Sequence, residues 1–137
     1  MSSKLVSAFP GTGKSYLYNN YDGVILDSDS STFDKSDFPA NYIMHIKDNI
    51  DSADMIMISS HKEVRDALVD NGLEFSLIYP DKSLKDEYID RYIKRGNAES
   101  FVALLTKMWD EWIDELQSQK SCKHIVLKSG EYLSDVI

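Results

Sequence analysis

Five short apolar runs, separated by stretches with helical periodicity, constrain the fold of this chain of 137 residues more than any other feature. The runs cover residues 4–8, 23–27, 54–59, 74–79 and 124–127. Continuous apolar runs of this length are typical of strands that helices cover on both faces of a parallel sheet. The order β-α-β-α-β-α-β-α-α-β therefore predicts a single α/β domain over residues 1–137, built on a parallel sheet.

Helical periodicity and residues typical of helix ends predict helices between these runs. Ser60 followed by Glu63 predicts a capping box at a helix start, and Gly72 predicts the end of that helix. Between residues 99 and 117, apolar side chains recur every three or four positions, which favours a helix packed in the core over an aromatic cofactor site. The Ser- and Asp-rich stretch between Asp27 and Tyr42 is interpreted as a surface loop or a substrate-facing segment.

Composition excludes several classes of function. The chain carries 15 Lys and Arg against 23 Asp and Glu, and this net charge of −8 argues against a broad surface for nucleic acid or for an anionic membrane. No apolar run approaches the roughly 20 residues that cross a bilayer, and the first residues lack the apolar length of a secretory signal. The single cysteine, Cys122, cannot form an internal disulfide, and no paired Cys or His motif predicts zinc. We therefore expect a cytoplasmic protein.

The most specific motif is the loop of residues 8–15, with the sequence AFPGTGKS. It fits a phosphate-binding pattern in which Ala or Gly is followed by four free positions and then by Gly-Lys-Ser/Thr. Gly11 and Gly13 permit a backbone that turns its N–H groups towards phosphate oxygens. Because the motif follows an apolar run and opens a predicted helix, it stands in the context that such a loop requires.

Each fixed position of this loop has a chemical role. Lys14 is expected to reach the β- and γ-phosphates, and the Ser15 hydroxyl is expected to bind Mg²⁺. The positive end of the following helix favours the anion. The motif therefore predicts ATP and Mg²⁺ as cofactors. The residues predicted to bind them are Pro10, Gly11, Thr12, Gly13, Lys14 and Ser15.

Two carboxylates, Asp27 and Asp29, follow the second apolar run, where open α/β sheets bind their ligands. One is expected to hold Mg²⁺ and the other to accept the proton of an attacking hydroxyl, although a solvated Asx turn is the alternative. The most apolar run ends in Ser59 and Ser60 rather than in a carboxylate. By analogy, this absence favours a small-molecule kinase over a motor-type ATPase.

The three arginines of the chain, Arg65, Arg91 and Arg95, are the next candidates. Arg91 and Arg95 are four residues apart, so on a helix they share a face and can close over transferred phosphates, with Gly96 as a hinge. The alternative is structural, because Glu87 with Arg91 is a favourable i,i+4 ion pair, as is Asp90 with Lys94. Arg65, near the start of the capped helix, is expected to anchor a phosphate of the acceptor. His45, His61 and His124 are left out of the predicted chemistry.

Taken together, these residues resemble the P-loop kinase superfamily. The resemblance rests on residues 8–15, 27–29, 59–65 and 91–97. It follows the order of elements through most of the chain, although only the phosphate loop is a specific motif. Within the superfamily the chain is most similar to nucleoside monophosphate kinases and to shikimate or gluconate kinases, in the short versions that phages encode.

The resemblance implies a three-layer α/β/α sandwich whose five parallel strands run in the order 2-3-1-4-5. It places ATP at the first loop, an acceptor-binding segment at residues 30–50, a lid at residues 83–97 and the adenine beside residues 128–130. Arg65 then corresponds to an acceptor-phosphate arginine, Arg91 and Arg95 to lid arginines, and Asp27 and Asp29 to the acidic pair. A phage-encoded protein of this kind acts in the cytoplasm of the host.

The leading functional prediction is an ATP- and Mg²⁺-dependent kinase that phosphorylates a nucleoside or deoxynucleoside monophosphate. Lys14, Asp27, Asp29, Arg91 and Arg95 would be its catalytic residues, while Arg65 and Asp29 would bind the acceptor. One alternative is a kinase of the same fold for a hydroxyl acceptor such as a sugar or a shikimate-like acid. Another is a module that binds or sequesters nucleotides without turnover. A polynucleotide kinase is disfavoured because no basic track runs along the sequence.

Overall fold

The computed structural model of the protein describes residues 4–28 and 34–137. One sheet of five parallel strands runs through it in the order β2-β3-β1-β4-β5. The strands are β1 (Lys4–Ala8), β2 (Ile25–Asp27), β3 (Met55–Ile58), β4 (Ser76–Pro80) and β5 (Lys123–Leu127). The α/β class, the parallel sheet and the strand order are thereby confirmed.

Helices occupy the connections between the strands. They are α1 (Lys14–Asn20), α2 (Ala40–Asn49), α3 (Lys62–Asp70), α4 (Lys85–Lys94), α5 (Glu99–Gln117) and α6 (Leu133–Val136), with a 3-10 turn over Lys82–Leu84. The short helix α6, after the last strand, was not predicted from the sequence. Over the described ranges, none of these helices combines the length and the apolar character that crossing a bilayer demands.

The two faces of the sheet bury separate apolar clusters, because successive strand residues point to opposite sides. One cluster joins Val6, Met57 and Ile78 of the sheet to Leu17 of α1 and Leu133 of α6. The other joins the alternate strand residues to α2, α3, α4 and α5. Helices therefore cover both faces, which is why the strand runs are continuously apolar.

The long apolar stripe of α5 packs into the second cluster, as predicted. Leu105, Trp109, Ile113 and Leu116 are buried, and the Trp109 indole N–H donates a hydrogen bond of 2.9 Å to the Lys82 carbonyl. A buried indole needs such an acceptor for its N–H group. The stripe is therefore core rather than a cofactor site.

The start of α3 differs from the prediction, whereas its end agrees with it. The helix begins after His61, no side chain caps it, and the predicted capping box of Ser60 and Glu63 is wrong. Instead, the Ser60 carbonyl accepts a hydrogen bond from the Arg65 guanidinium. At the other end, the Gly72 N–H donates to the Val69 carbonyl at 3.0 Å, which closes the helix where Gly72 predicts.

Candidate functional site

The loop between β1 and α1 has an unusual distribution of hydrogen bonds. The carbonyl oxygens of the consecutive residues 9–13 each accept a hydrogen bond, one from within the loop and four from residues outside it. In chain order the donors are the Thr12 hydroxyl (2.7 Å), the Tyr92 hydroxyl (2.8 Å), the Arg91 guanidinium (2.9 Å), the Leu133 N–H (2.9 Å) and the Leu17 N–H (3.0 Å). The carbonyl side of the loop is thus held by its surroundings.

The N–H side of the same loop is different. Within residues 4–28 and 34–137, the N–H groups of Gly11, Thr12, Gly13, Ser15 and Tyr16 have no protein acceptor. Gly11 and Thr12 are nevertheless buried, and buried N–H groups without a partner are rare because they cost free energy. A loop whose carbonyls are engaged and whose N–H groups are available is suited to binding an anion.

Two tyrosines pack directly against the glycines of this loop. Gly11 and Gly13 have φ angles of +84° and +92°, a region that other residues rarely adopt. A Cβ atom on Gly11 would lie 2.7 Å from Cε1 of Tyr92, and one on Gly13 would lie 3.0 Å from Cδ1 of Tyr132. The loop therefore depends on both glycines for its dihedral angles and for its close packing. No motif in the sequence indicates the two tyrosines.

Arg91 braces the loop from the side of α4. Its guanidinium lies between the rings of Tyr88 and Tyr132, with Cζ 4.2 and 4.1 Å from the two ring centroids. It donates to the Gly11 carbonyl at 2.9 Å and to the Glu87 carboxylate at 3.0 Å. The i,i+4 ion pair of Glu87 with Arg91, which is the structural alternative, is thus present. The positive charge of Arg91 is therefore compensated within the protein.

Arg95 is placed differently, although it follows Arg91 by one helical turn. It is exposed at the end of α4, and among the described residues its side chain makes no hydrogen bond or ion pair. The neighbouring Lys94 pairs with Asp90 at 2.8 Å, as the alternative interpretation also expects. Of the two predicted lid arginines, Arg95 is therefore the one whose guanidinium is available to a ligand.

A cavity of about 490 Å³ is lined by residues of this loop, among them Gly11, Gly13 and Ser15. Its walls include Lys14, Arg91, Lys94 and Arg95, and none of the described residues that line it is acidic. Tyr16 and Tyr132 add aromatic surface at its rim. In a chain with a net charge of −8, this cationic cavity is a local exception, and it is matched to a polyanion such as a triphosphate.

Glu87 ties α4 to the loop that follows β5. Its carboxylate accepts hydrogen bonds from the Ser129 hydroxyl and from the Gly130 N–H, the latter at 3.1 Å, besides the bond from Arg91. The bond from Ser129 lowers the pKa of Glu87 most, and those from Gly130 and Arg91 lower it further. Residues 128–130, which the family resemblance places beside the adenine, are thus connected to the brace of the phosphate loop.

We predict that Glu87→Gln destabilises the protein in a pH-dependent way. A carboxyl whose pKa is lower in the folded state stabilises the fold above its unfolded pKa, and this contribution is lost as the pH falls through the folded value. The difference in unfolding free energy between wild type and Glu87→Gln should therefore be constant above about pH 5 and shrink below the ordinary value of 4.5. Urea denaturation from pH 3 to 7 measures it. Glu111→Gln, on the exposed side of α5, is the control, and an equal pH dependence of the two differences contradicts the prediction.

A second cavity, of about 260 Å³, shares the lining residue Pro10 with the first. It lies between the start of α3 and the last part of α5. Its lining residues are Phe9, Pro10, Ser60, His61, Lys62, Arg65, Trp112, Glu115 and Leu116. Arg65 is the predicted acceptor-phosphate residue, and the structure places it in this cavity, 1% exposed and ion-paired with Glu115. The role of Glu115 could not be read from the sequence.

The acidic pair lies only partly within the described residues. Asp27 is exposed at the end of β2, and Asp29 lies outside the described ranges. Between them, Ser28 is buried, with its carbonyl accepting from the Tyr42 hydroxyl at 2.8 Å and its hydroxyl 3.0 Å from Nε2 of His45. Helix α2, in the predicted acceptor-binding segment, thus holds the backbone at the carboxyl end of β2.

Two of the histidines have structural partners that the sequence did not reveal. His45 contacts Ser28, as described, and His124 contacts the Gln119 carbonyl through Nε2 at 2.7 Å and the Tyr79 hydroxyl through Nδ1 at 2.9 Å. Because a carbonyl can only accept, Nε2 of His124 carries the proton and Nδ1 accepts from Tyr79. His124 therefore links β4 to the end of α5.

Comparison with models of protein families finds no match to this chain, and a search of curated proteins finds no significant relative.

Proposed function

We propose that the protein is an ATP- and Mg²⁺-dependent small-molecule kinase with a P-loop fold. The observation that carries the proposal is the loop of residues 9–13: the carbonyls of these residues all accept hydrogen bonds, whereas the N–H groups of Gly11, Thr12 and Gly13 have no acceptor among the described residues. Combined with the Gly-Lys-Ser sequence and the cationic cavity, this loop is suited to the β- and γ-phosphates of a nucleotide.

The two cavities, which share the lining residue Pro10, support transfer rather than binding alone. A kinase must hold a donor and an acceptor in line, close to one transferred phosphoryl group. The larger, cationic cavity suits the donor and the smaller one suits the acceptor. An oxygen of the acceptor forms a bond to the γ-phosphorus while the bond from that phosphorus to the bridging oxygen breaks, and the electron pair leaves with ADP. The acceptor proton passes to the carboxylate of Asp27 or Asp29.

Lys14 and Arg95 are the cations that would stabilise the charge of the transferred group. Charge is spread over the equatorial oxygens of the γ-phosphoryl group during transfer, so fixed cations near it lower the barrier. Lys14 is in the loop itself, and Arg95 lines the same cavity from the end of α4. Arg91 holds the loop in place through the Gly11 carbonyl and acts as a positioning residue.

The residues present fit a magnesium ion that is held mainly by the nucleotide. Among the described residues no group of three His, Cys, Asp or Glu side chains forms a cage for a metal. Mg²⁺ is commonly bound through one or two protein ligands, substrate phosphates and water, so such a cage is not required. Ser15, which lines the cationic cavity, would provide a hydroxyl, and Asp27, which lines neither cavity, would act through the water shell of the ion. The bound ion would neutralise charge on the phosphates.

The experiment is an acceptor panel. Purified protein is incubated with ATP, Mg²⁺ and nucleosides, nucleoside monophosphates, sugars or sugar acids, with ADP release and product mass both measured. Acceptor-dependent ADP release supports the proposal. If calorimetry shows that nucleotides bind but no acceptor of the panel is phosphorylated, the kinase proposal is overturned. The protein is then a module that binds or sequesters nucleotides.

A further inference from the structure

We infer that the smaller cavity binds an uncharged, hydroxyl-bearing acceptor of about nucleoside size, rather than an acceptor that already carries a phosphate. The inference rests on the proposed kinase function and specifies its acceptor. It departs from the monophosphate acceptor that the sequence favours, and the reason is the charge balance of the cavity.

Each nitrogen of the Arg65 guanidinium already has a partner in the protein. Its Nε donates to the Ser60 carbonyl at 2.8 Å and one terminal nitrogen donates to the Gln119 side chain at 2.8 Å. The other terminal nitrogen donates to the Glu115 carboxylate, which neutralises its charge. With 1% of its surface exposed, Arg65 holds α3 and α5 together and presents no free donor face to a ligand.

A phosphate group in this cavity would meet the partner of Arg65 as well. Glu115 is 34% exposed at its side chain and lines the cavity. Drawing Arg65 towards a phosphate would break a partly buried ion pair and leave a carboxylate facing a dianion, and this juxtaposition of like charges is expected to cost on the order of a hundredfold in affinity. The pair of Arg65 and Glu115 therefore selects against a phosphorylated acceptor.

Lys62, the second basic residue that lines the cavity, also has an acidic partner. Lys62 forms an ion pair with Asp66 at 2.6 Å, one turn along α3, and both side chains extend into solvent. An exposed pair of this kind screens its own charge and offers little net attraction to an anion. Arg65 and Lys62 are thus both ion-paired, whereas Arg95, which lines the larger cavity, makes no hydrogen bond or ion pair with the described residues.

The remaining lining residues suit a small molecule with a ring and hydroxyl groups. Trp112 and Leu116 provide apolar surface, and Ser60 and His61 provide hydrogen-bonding groups at the end next to α3. The volume of about 260 Å³ lies just below the range of roughly 300–1,000 Å³ that is usual for drug-sized ligands. A nucleoside combines a flat ring for Trp112 with neutral hydroxyl groups, one of which would be the attacking oxygen of the transfer described above.

The test measures kcat/KM for matched pairs of acceptors, each pair being a nucleoside and its 5′-monophosphate. Three proteins are assayed: wild type, Glu115→Gln and Glu111→Gln. Wild type should show the higher kcat/KM for the nucleoside. Glu115→Gln removes the compensating charge of Arg65, so it should raise the ratio of kcat/KM for monophosphate over nucleoside by at least about tenfold. Glu111→Gln, on the exposed side of the same helix, should leave the ratio unchanged.

Binding of both acceptors to wild type, measured by calorimetry with a non-hydrolysable ATP analogue present, keeps the test decisive if Glu115→Gln does not fold. Tighter binding of the nucleoside supports the inference. Turnover of monophosphates in preference to nucleosides overturns it and leaves the kinase proposal intact. Nucleoside binding without turnover supports the cavity assignment and overturns the kinase proposal instead.

Discussion

Replacement of Lys14 by alanine is expected to lower kcat/KM for phosphoryl transfer by about 10²–10³-fold, the usual cost of removing one preorganised group that stabilises transition-state charge. Lys14 follows Gly13 at the end of the phosphate loop and lines the cationic cavity. Its ammonium is expected to follow the charge that develops on the γ-phosphoryl oxygens. Because that charge is greatest in the transition state, the loss should fall on kcat more than on KM.

Steady-state kinetics with the best acceptor of the panel measure this effect, and circular dichroism verifies that the variant is folded. Lys107→Ala is the matched control, because Lys107 is an exposed lysine of α5 that lines neither cavity. It removes the same charge from the chain and should leave kcat/KM within about twofold. A Lys14→Ala variant with wild-type kcat would refute the role proposed for this loop.

The second large effect is expected from Arg91→Met, which should lower the unfolding free energy by about 2–3 kcal/mol, the scale of a lost hydrogen bond to a charged group in a largely buried setting. The Arg91 side chain is 11% exposed, is flanked by Tyr88 and Tyr132, and donates to the Gly11 carbonyl. Methionine fills part of the space between the rings but cannot donate to the carbonyl. The loop should therefore be less well held, and nucleotide affinity should fall together with stability.

Arg95→Met is the natural comparison, because it changes the same residue type one turn further along α4. Arg95 is exposed and unpaired within the described part of the chain, so its replacement should change stability by less than about 0.5 kcal/mol. It should still lower kcat. Urea denaturation, nucleotide calorimetry and kinetics on both variants separate the two roles. If Arg91→Met is as stable as wild type and loses only kcat, Arg91 is a catalytic lid residue rather than a brace.

The sequence predicts the positions of Arg91 and Arg95 but not the contacts of Arg91. The i,i+4 spacing of Arg91 and Arg95 correctly places both on one helix, and the ion pair with Glu87 can be read from the same spacing. The spacing does not reveal that Tyr88 and Tyr132 enclose Arg91 or that Gly11 is its acceptor. The latter contact joins residues 80 positions apart in the chain.

For the smaller cavity, too, the sequence indicates a charged residue but not its partner. Arg65 was identified from its place after the third strand, and the structure does put it next to the phosphate loop. Its partner Glu115 is 50 residues away, on a helix whose sequence indicates only that one side is apolar. An arginine that attracts anions and an arginine that a carboxylate has neutralised look alike in a sequence.

The apolar runs, the turn residues and the glycines of the loop are local signals, and they sufficed to predict the α/β class, the parallel strands and the end of α3. The strand order was implied by the family resemblance and is confirmed by the structure. The tertiary structure alone decided which charges remain available to a ligand: Arg95 does, whereas Arg65 and Arg91 are paired within the protein. The physical reason is that the charge of a side chain is set by its residue type, but its compensation depends on neighbours brought together only when the helices pack on the sheet.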